Sequence, residues 1–440
     1  MSDYLFMLEN HLSAAQSKMV MEVQNVAAEA NVNVFLTGGA MRDMLGGFPM
    51  RDIEFTVEGS GVKLAKAVAA KSGAEITDAD DGRKAAALLF PGSVNARIVM
   101  AHQERYGKTG AKPHIQPATI HEDLRGRDFT INAIALSLSK ASRGLILDPN
   151  NGIGDLEHKE LRAVSNYTLY HDPIRLFRLQ RLRVRLGFEI EERTKVQYAN
   201  ARAEKLETHI PASALLEELR RIADEPNPGE LLSVLDQEKL LPLFSPALEG
   251  AKLNLPAFQK LQKAHQLIPF GVNFELENFG LFLYLLTEKL TPKERAALVK
   301  SLEMPKEDVA LWQKLDARSH KLGVTLQSAK LQKPSRVYHA LVKEPGDQIL
   351  YLLLRSQHRL VQDRIRNYLQ KYLPAAQEIT DKEVLAGGQQ PGTPKGEKLR
   401  ESLINARLDA RPKKIVPPVE EAAPVPAPPP VSAFAGARRN

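Results

Sequence analysis

The sequence predicts an α+β fold: a small head of strands alternating with helices, set on a long all-α body. Three observations predict it. Up to about residue 138, short strand-like apolar runs alternate with helical segments. After about residue 155, strand signals nearly vanish. Leu-rich helical spacing takes over, punctuated by Pro211, Pro226, Pro228, Pro242, Pro246, Pro256 and Pro269. From Ile415 to Asn440 the chain is crowded with Pro, Ala and Val, which predicts a disordered Pro-rich C-terminus.

Taken in order, residues 4 to 30 have helical spacing and end in an Ala-rich segment. Val32 to Leu36, Asp52 to Val57, Ala85 to Phe90 and Ala96 to Met100 read as strands, and Val62 to Lys71 as a helix. Gly107 to Ala118, rich in Gly, Pro and Lys, reads as a mobile loop. No fixed-period repeat is present.

Composition narrows the function. The length of 440 residues suits about three domains, and 43% apolar residues can bury a core. A net charge of +7 favours a polyanionic partner, though only mildly. The absence of Cys excludes disulfides and thiolate metal sites and suits a reducing cytoplasm. Met1 to Glu9 lacks the basic and apolar pattern of a signal peptide, and the longest apolar runs, such as Leu281 to Leu286, are too short to span a bilayer. The expectation is no membrane association, with no obligate protein partner evident.

The most informative motif joins two short stretches. Phe35-Leu36-Thr37-Gly38-Gly39 reads as a strand running into a glycine turn, with a helix starting through Arg42 and Asp43. Such a turn lets backbone N–H groups approach a phosphate. Asp52 and Glu54 are two apart on the next strand, so they project from one face, as shared Mg²⁺ coordination requires. Singly, each half equally suits an ordinary turn or a solvated strand face. Their closeness in the order strand, Gly-Gly, helix, strand points to a metal-dependent site for a nucleotide.

Two further clusters carry polar chemistry. In Arg127-Asp128-Phe129-Thr130-Ile131-Asn132, Arg127 can bind phosphate. Asp128 and Asn132, four apart on an expected helix start, share one side and can bond a ribose hydroxyl; Asp128 equally suits a plain N-cap. His171-Asp172-Pro173-Ile174-Arg175 opens a strong helix, with Asp172 as its cap and Pro173 in its first turn. Arg175, Arg178 and Arg181 form a basic stripe. Asp172 and Arg175 offer an acceptor and a donor fork, a pair suited to a Watson–Crick edge or equally to a capped helix with a solvated basic face. His171-Asp172 lacks the companion ligands of a metal-dependent phosphohydrolase.

Together these segments resemble the class II tRNA nucleotidyltransferase and bacterial poly(A) polymerase superfamily. Gly38-Gly39-Ala40-Met41-Arg42-Asp43 with Asp52-Ile53-Glu54 looks like its catalytic motif. Arg127 to Ala133 resembles its ribose- and triphosphate-contacting motif, and Leu147 to Leu156 its hinge-like motif. Asp172-Pro173-Ile174-Arg175 resembles the amino-acid template that selects CTP or ATP. Glu217 to Ile222 and Leu240 to Phe244 are similar to its body helices, and Ile379 to Leu385 with Pro391 to Gly396 to its tail domain.

The resemblance implies a head with a mixed β-sheet and helices over residues 1–140, carrying catalysis. An all-α neck with the nucleotide template would follow over 141–205, then an RNA-binding body over 206–330 and a tRNA-binding tail over 331–414. Residues 415–440 form the Pro/Ala-rich segment. The implied reaction is template-free, Mg²⁺-dependent addition of C and A from CTP and ATP to a tRNA 3′ end, with pyrophosphate release. The tRNA acceptor arm would be the partner. Catalytic and metal-holding residues would be Asp52 and Glu54. Nucleotide contacts would come from Gly38, Gly39, Arg42, Arg127, Asp128, Asn132, Asp172, Arg175, Arg178 and Arg181. Alternatives are an A-adding enzyme, a poly(A) polymerase, or an inactive RNA-binding relative. Four positions depart from the family's usual residues: Glu54 for Asp, Arg97 for an acid, Gly126 for Arg and His171 for Glu.

Overall fold

The computed structural model describes residues 3–410; the Pro-rich segment from Ile415 lies outside them. Two helices open the chain, α1 (Asp3–His11) and α2 (Ala14–Glu29). The sequence suggested one continuous helical segment. The break falls at Ser13, whose side chain and that of Gln16 form a reciprocal capping box that starts α2 afresh.

The head is built on a seven-stranded mixed sheet. Its strands are β1 (Val34–Thr37), β2 (Ile53–Val57), β3 (Glu75–Asp80), β4 (Ala85–Phe90), β5 (Val94–Met100), β8 (Ala135–Ser137) and β9 (Ile146–Leu147). They run in the order β3-β4-β5-β2-β1-β8-β9. Only the β2–β5 contact is parallel; the other pairs of this sheet are antiparallel. The helix α3 (Gly39–Gly46) leaves the end of β1, and α4 (Gly61–Ser72) connects β2 to β3.

The segment expected to be a mobile loop contains a strand. β6 (His102–Arg105) pairs with β7 (His114–Pro117) as a separate antiparallel hairpin. Local Gly and Pro content signalled the turn but not the ladder, which depends on partners about ten residues away. Strand β3 was missed for another reason. Its Glu-Ile-Thr-Asp-Ala-Asp sequence is acidic and mostly exposed, as suits a sheet edge protected from further pairing.

Beyond the head the chain is helical. α5 (Ile120–Gly126) packs against β6 and α6 (Gly152–His158) against α3, followed by α7 (Thr168–His171), α8 (Arg175–Leu186), α9 (Glu192–Ala203) and α10 (Ala212–Ala223). Among the described residues the only strands after residue 155 are the two-residue parallel pair Glu160–Leu161 and Glu189–Ile190. Several later helices start at proline, including Pro228, Pro292, Pro334 and Pro394, where the missing N–H has no carbonyl to lose. Among the described residues no helix is long and apolar enough to cross a membrane.

Two hydrophobic cores meet at α8. Leu176, Leu179, Leu182 and Leu186 pack with head residues such as Leu36 and Phe55. Ile174 and Phe177 pack with the body, where Phe177 and Phe244 lie 5.2 Å apart. Burying one such side chain is worth about 1.5–3 kcal/mol, so the helix is fixed from both sides. That fixes the arginines interleaved along it.

Candidate active site

Gly38 carries the chain from β1 into α3 with φ +66° and ψ −132°, a conformation that disfavours any side chain. Space forbids one too. A Cβ there would stand 3.1 Å from Glu54 Oε1 and 3.3 Å from Arg127 Nη1. The turn therefore presses backbone against the acid of the neighbouring strand.

Glu54 lies opposite Thr37 on one side and Arg97 on the other. Its Oε1 accepts from Thr37 Oγ1 at 3.2 Å and from Arg127 Nη1 at 3.4 Å. Oε2 has no protein partner among the described residues. Asp52 sits one residue before β2 rather than inside it, is exposed, and has no hydrogen bond or ion pair among the described residues. Both carboxylates line one cleft of about 310 Å³.

Nine arginines and five carboxylates line that cleft. The excess of positive charge suits a polyanionic ligand. Several of these arginines are already engaged. Arg127 donates from Nε to Asp123 Oδ2 at 2.9 Å and from Nη2 to Thr56 Oγ1 at 2.9 Å. Arg42 grips the buried Asp43 through Nε and Nη2, at 2.9 and 2.7 Å, and donates from Nη1 to Asn132 Oδ1 at 2.8 Å.

Asn132 in turn donates to Asp128 Oδ1 at 3.0 Å, while Arg178 donates to Asp128 Oδ2 at 2.6 Å. Asp128 and Asn132 meet as the sequence suggested, but not on an α-helix. Asn132 ends a short 3₁₀ turn, Thr130–Asn132, and Asp128 lies two residues before it. Burial alone would raise the pKa of Asp128; the Arg178 and Arg175 charges and the hydrogen bonds from Arg178 and Asn132 hold it well below the usual carboxylate range.

The helix carrying the basic stripe begins later than expected. Asp172 ends α7, and α8 starts at Arg175 after Ile174, without a side-chain cap. Asp172 Oδ2 stands 3.4 Å from Arg175 Nε. Arg175 lines the cleft; Asp172 does not. Nor is the stripe a solvated face. Arg175 and Arg181 are buried, and Arg181 binds Glu218 at 2.7 Å and Glu225 at 3.0 Å.

The cleft gains residues that the sequence reading did not assign. Arg97 and Arg221 line it without an ion pair or side-chain hydrogen bond among the described residues. Arg97 was noted only as a departure from a pattern; its parallel register with Glu54 is what brings it to the site. Asp123 had a local signal, its spacing of four from Arg127. Glu104 had none. It comes from the hairpin strand β6 and receives Arg175 Nη2 at 3.2 Å and Tyr106 Oη at 2.6 Å.

Burial alone would raise the pKa of Glu104. Hydrogen bonds from His102 and Tyr106 and the charges of Arg175 and Arg83 outweigh it and bring the value to about 2, from an ordinary 4.5. A depressed carboxylate pKa stabilises the fold above the unfolded value and loses that contribution as pH falls through the folded one. Glu104→Gln is therefore expected to be less stable than the native protein at neutral pH, with the gap closing between pH 4.5 and 2. Urea unfolding across that range measures it, and a pH-independent gap would contradict the arrangement.

Residues 34–162 match the family described as poly A polymerase head domain. The chain is 30% identical to the CCA-adding enzyme of Pseudomonas putida (strain W619), over 63% of this chain and 70% of that protein. It is 27% identical to the A-adding tRNA nucleotidyltransferase of Aquifex aeolicus (strain VF5), over 77% of this chain and 40% of that protein. The chain thus belongs to the tRNA nucleotidyltransferase and poly(A) polymerase family. Its fold matches that of the Thermotoga maritima CCA-adding enzyme solved with tRNA, with a TM-score of 0.51 and 21% identity over 92% of this chain and 95% of that one. The chain spans about half the length of the first curated relatives it matches.

Proposed function

We propose that this protein is a CCA-adding tRNA nucleotidyltransferase, joining C and A from CTP and ATP to a tRNA 3′ end and releasing pyrophosphate. The observation that carries the reading is the cleft. It sets two carboxylates beside a glycine turn, under an excess of arginine. The resemblance of the helical segments to the family's body and tail favours tRNA over other RNA ends. A chain without cysteine suits a cytoplasmic setting.

The donor set fits a divalent cation, and we assign Mg²⁺ to it. Asp52 has no protein partner among the described residues and Glu54 keeps Oε2 unengaged, so two oxygen ligands remain for a hard cation that shares its shell with phosphates and water. Bound there, the metal would lower the pKa of the attacking 3′-hydroxyl and neutralise charge on the leaving pyrophosphate. The protein's own part is positioning. Backbone N–H groups after Gly38 cradle the triphosphate, and Arg97, Arg178 and Arg221 supply the cationic wall. The chain Arg42–Asn132–Asp128 holds that wall in place and offers acceptors to a ribose hydroxyl. Arg175, the member of the pair that lines the cleft, is the donor for the base, oriented by Asp172 at its Nε and by Glu104 at its Nη2.

Labelled CTP or ATP, offered with Mg²⁺ and tRNA lacking its 3′ end, tests the reading; no incorporation of either nucleotide would sink it. Incorporation of ATP alone onto tRNA ending in CC would favour an A-adding enzyme, which the likeness to A-adding relatives supports as the second reading. Arg175→Ala is expected to reduce discrimination between CTP and ATP by about tenfold while leaving tRNA affinity nearly unchanged. Unaltered selectivity would remove Arg175 from the template.

A further inference from the structure

Three aromatic rings form a column beside the cleft. Tyr106 stacks on His171 with centroids 5.3 Å apart and planes at 13°, and His171 stacks on Tyr167 at 5.6 Å and 19°. The inner end is pinned, because Tyr106 bonds Glu104 of the cleft wall. The outer end is uncovered: Tyr167 is 63% exposed and nearby Tyr170 46%. Burial and the Arg175 charge push the pKa of His171 down, so at neutral pH the middle ring stacks uncharged.

Tyr167 and Tyr170 border a second pocket, of about 210 Å³, also lined by Gln197 and Asn200 of α9 and by Glu204 at its C-terminal end. Gln197 Oε1 is buried there without a hydrogen-bond partner among the described residues. A buried acceptor left unmatched is costly, which marks a place where a donor belongs.

The geometry points to a nucleobase site: this pocket takes an unpaired base of the accepting RNA end, stacked on Tyr167 with its edge against Gln197. The proposal rests on the RNA 3′-end reading above. The chemistry selects the ligand. No Lys or Arg lines the pocket and Glu204 does, so nothing there holds a triphosphate, whereas a base whose phosphates stay in solvent meets no penalty. The acceptors Gln197 Oε1 and Glu204 favour bases with an exocyclic amine, adenine or cytosine. An exposed tyrosine is the ordinary platform for single-stranded bases.

The test uses the full-length protein and tRNA transcripts carrying 2-aminopurine in turn at each of the last four positions. Binding native protein is expected to quench the fluorescence at one position. Tyr167→Ala should abolish that quenching and raise the KM for tRNA about tenfold, with KM for ATP and kcat unchanged. Tyr167→Phe should restore both, and Gln197→Leu should weaken RNA binding without changing thermal stability. Equal quenching and equal tRNA KM in Tyr167→Ala and native protein would overturn the site. A rise in ATP KM instead would overturn the RNA assignment. If native protein incorporated no nucleotide, the functional reading would fall, while the quenching measurement would still decide the pocket.

Discussion

Asp52→Ala is expected to lower nucleotide incorporation by on the order of 10³-fold, because a metal-held charge in such a site is worth several kcal/mol. Folding should be untouched, since Asp52 is exposed and bonds to nothing among the described residues. tRNA binding should also persist. Initial rates with labelled ATP and CTP, alongside a gel-shift titration, separate the effects. Turnover unchanged by the substitution would remove Asp52 from catalysis and favour an inactive RNA-binding relative. The same substitution therefore decides between the two functional classes that the sequence allows.

Arg181→Ala should act on stability first. Its guanidinium is 9% exposed and binds Glu218 and Glu225, themselves 2% and 5% exposed. Removing one partner of a buried ion pair leaves charge uncompensated and costs about 3–5 kcal/mol. Here Glu218 is stranded, and Glu225 keeps only its longer contact to Arg51. Glu225 Oε2 also lies 3.4 Å from Arg51 Nη1, in the residue next to Asp52, so the loosened glutamate should lower kcat as well. Urea unfolding of Arg181→Ala should show the loss, and replacing Glu218 by Leu in the same chain should recover part of it. Native-like stability with only a raised KM for nucleotide would show that Arg181 serves the ligand rather than the fold.

The contrast between these two residues shows how far the sequence could be read. Asp52 and Glu54 were legible as lining one cleft because they stand two apart at the start of a strand, close in sequence to the glycine turn, although Asp52 itself falls just before β2. Arg181 read as one third of a basic stripe, expected to contact nucleotide or else to face solvent. Nothing near it in sequence announces Glu218 of α10 or Glu225 just past that helix, about forty residues on. Asp172 shows a related limit: a residue before Pro reads as a helix cap, yet the preceding turn claims it and the helix begins at Arg175.

The hairpin makes the same point about Arg175. Arg175 meets Glu104 across 71 residues. A Gly-rich stretch signals a turn, but whether its flanks pair depends on a ladder that no local propensity reports.

The sequence by itself determined the α+β division, four strands of the head sheet, the glycine turn and the carboxylate pair. Each rests on periodicity or turn chemistry within a few residues. Only the tertiary structure decided which arginines face the cleft unpaired and which are locked by acids. It also decided that Asp172 lies outside the cleft wall, and that three aromatic rings stack toward a second pocket. Those outcomes depend on which charges and rings burial brings together from distant elements, and that is settled by packing the two cores against α8.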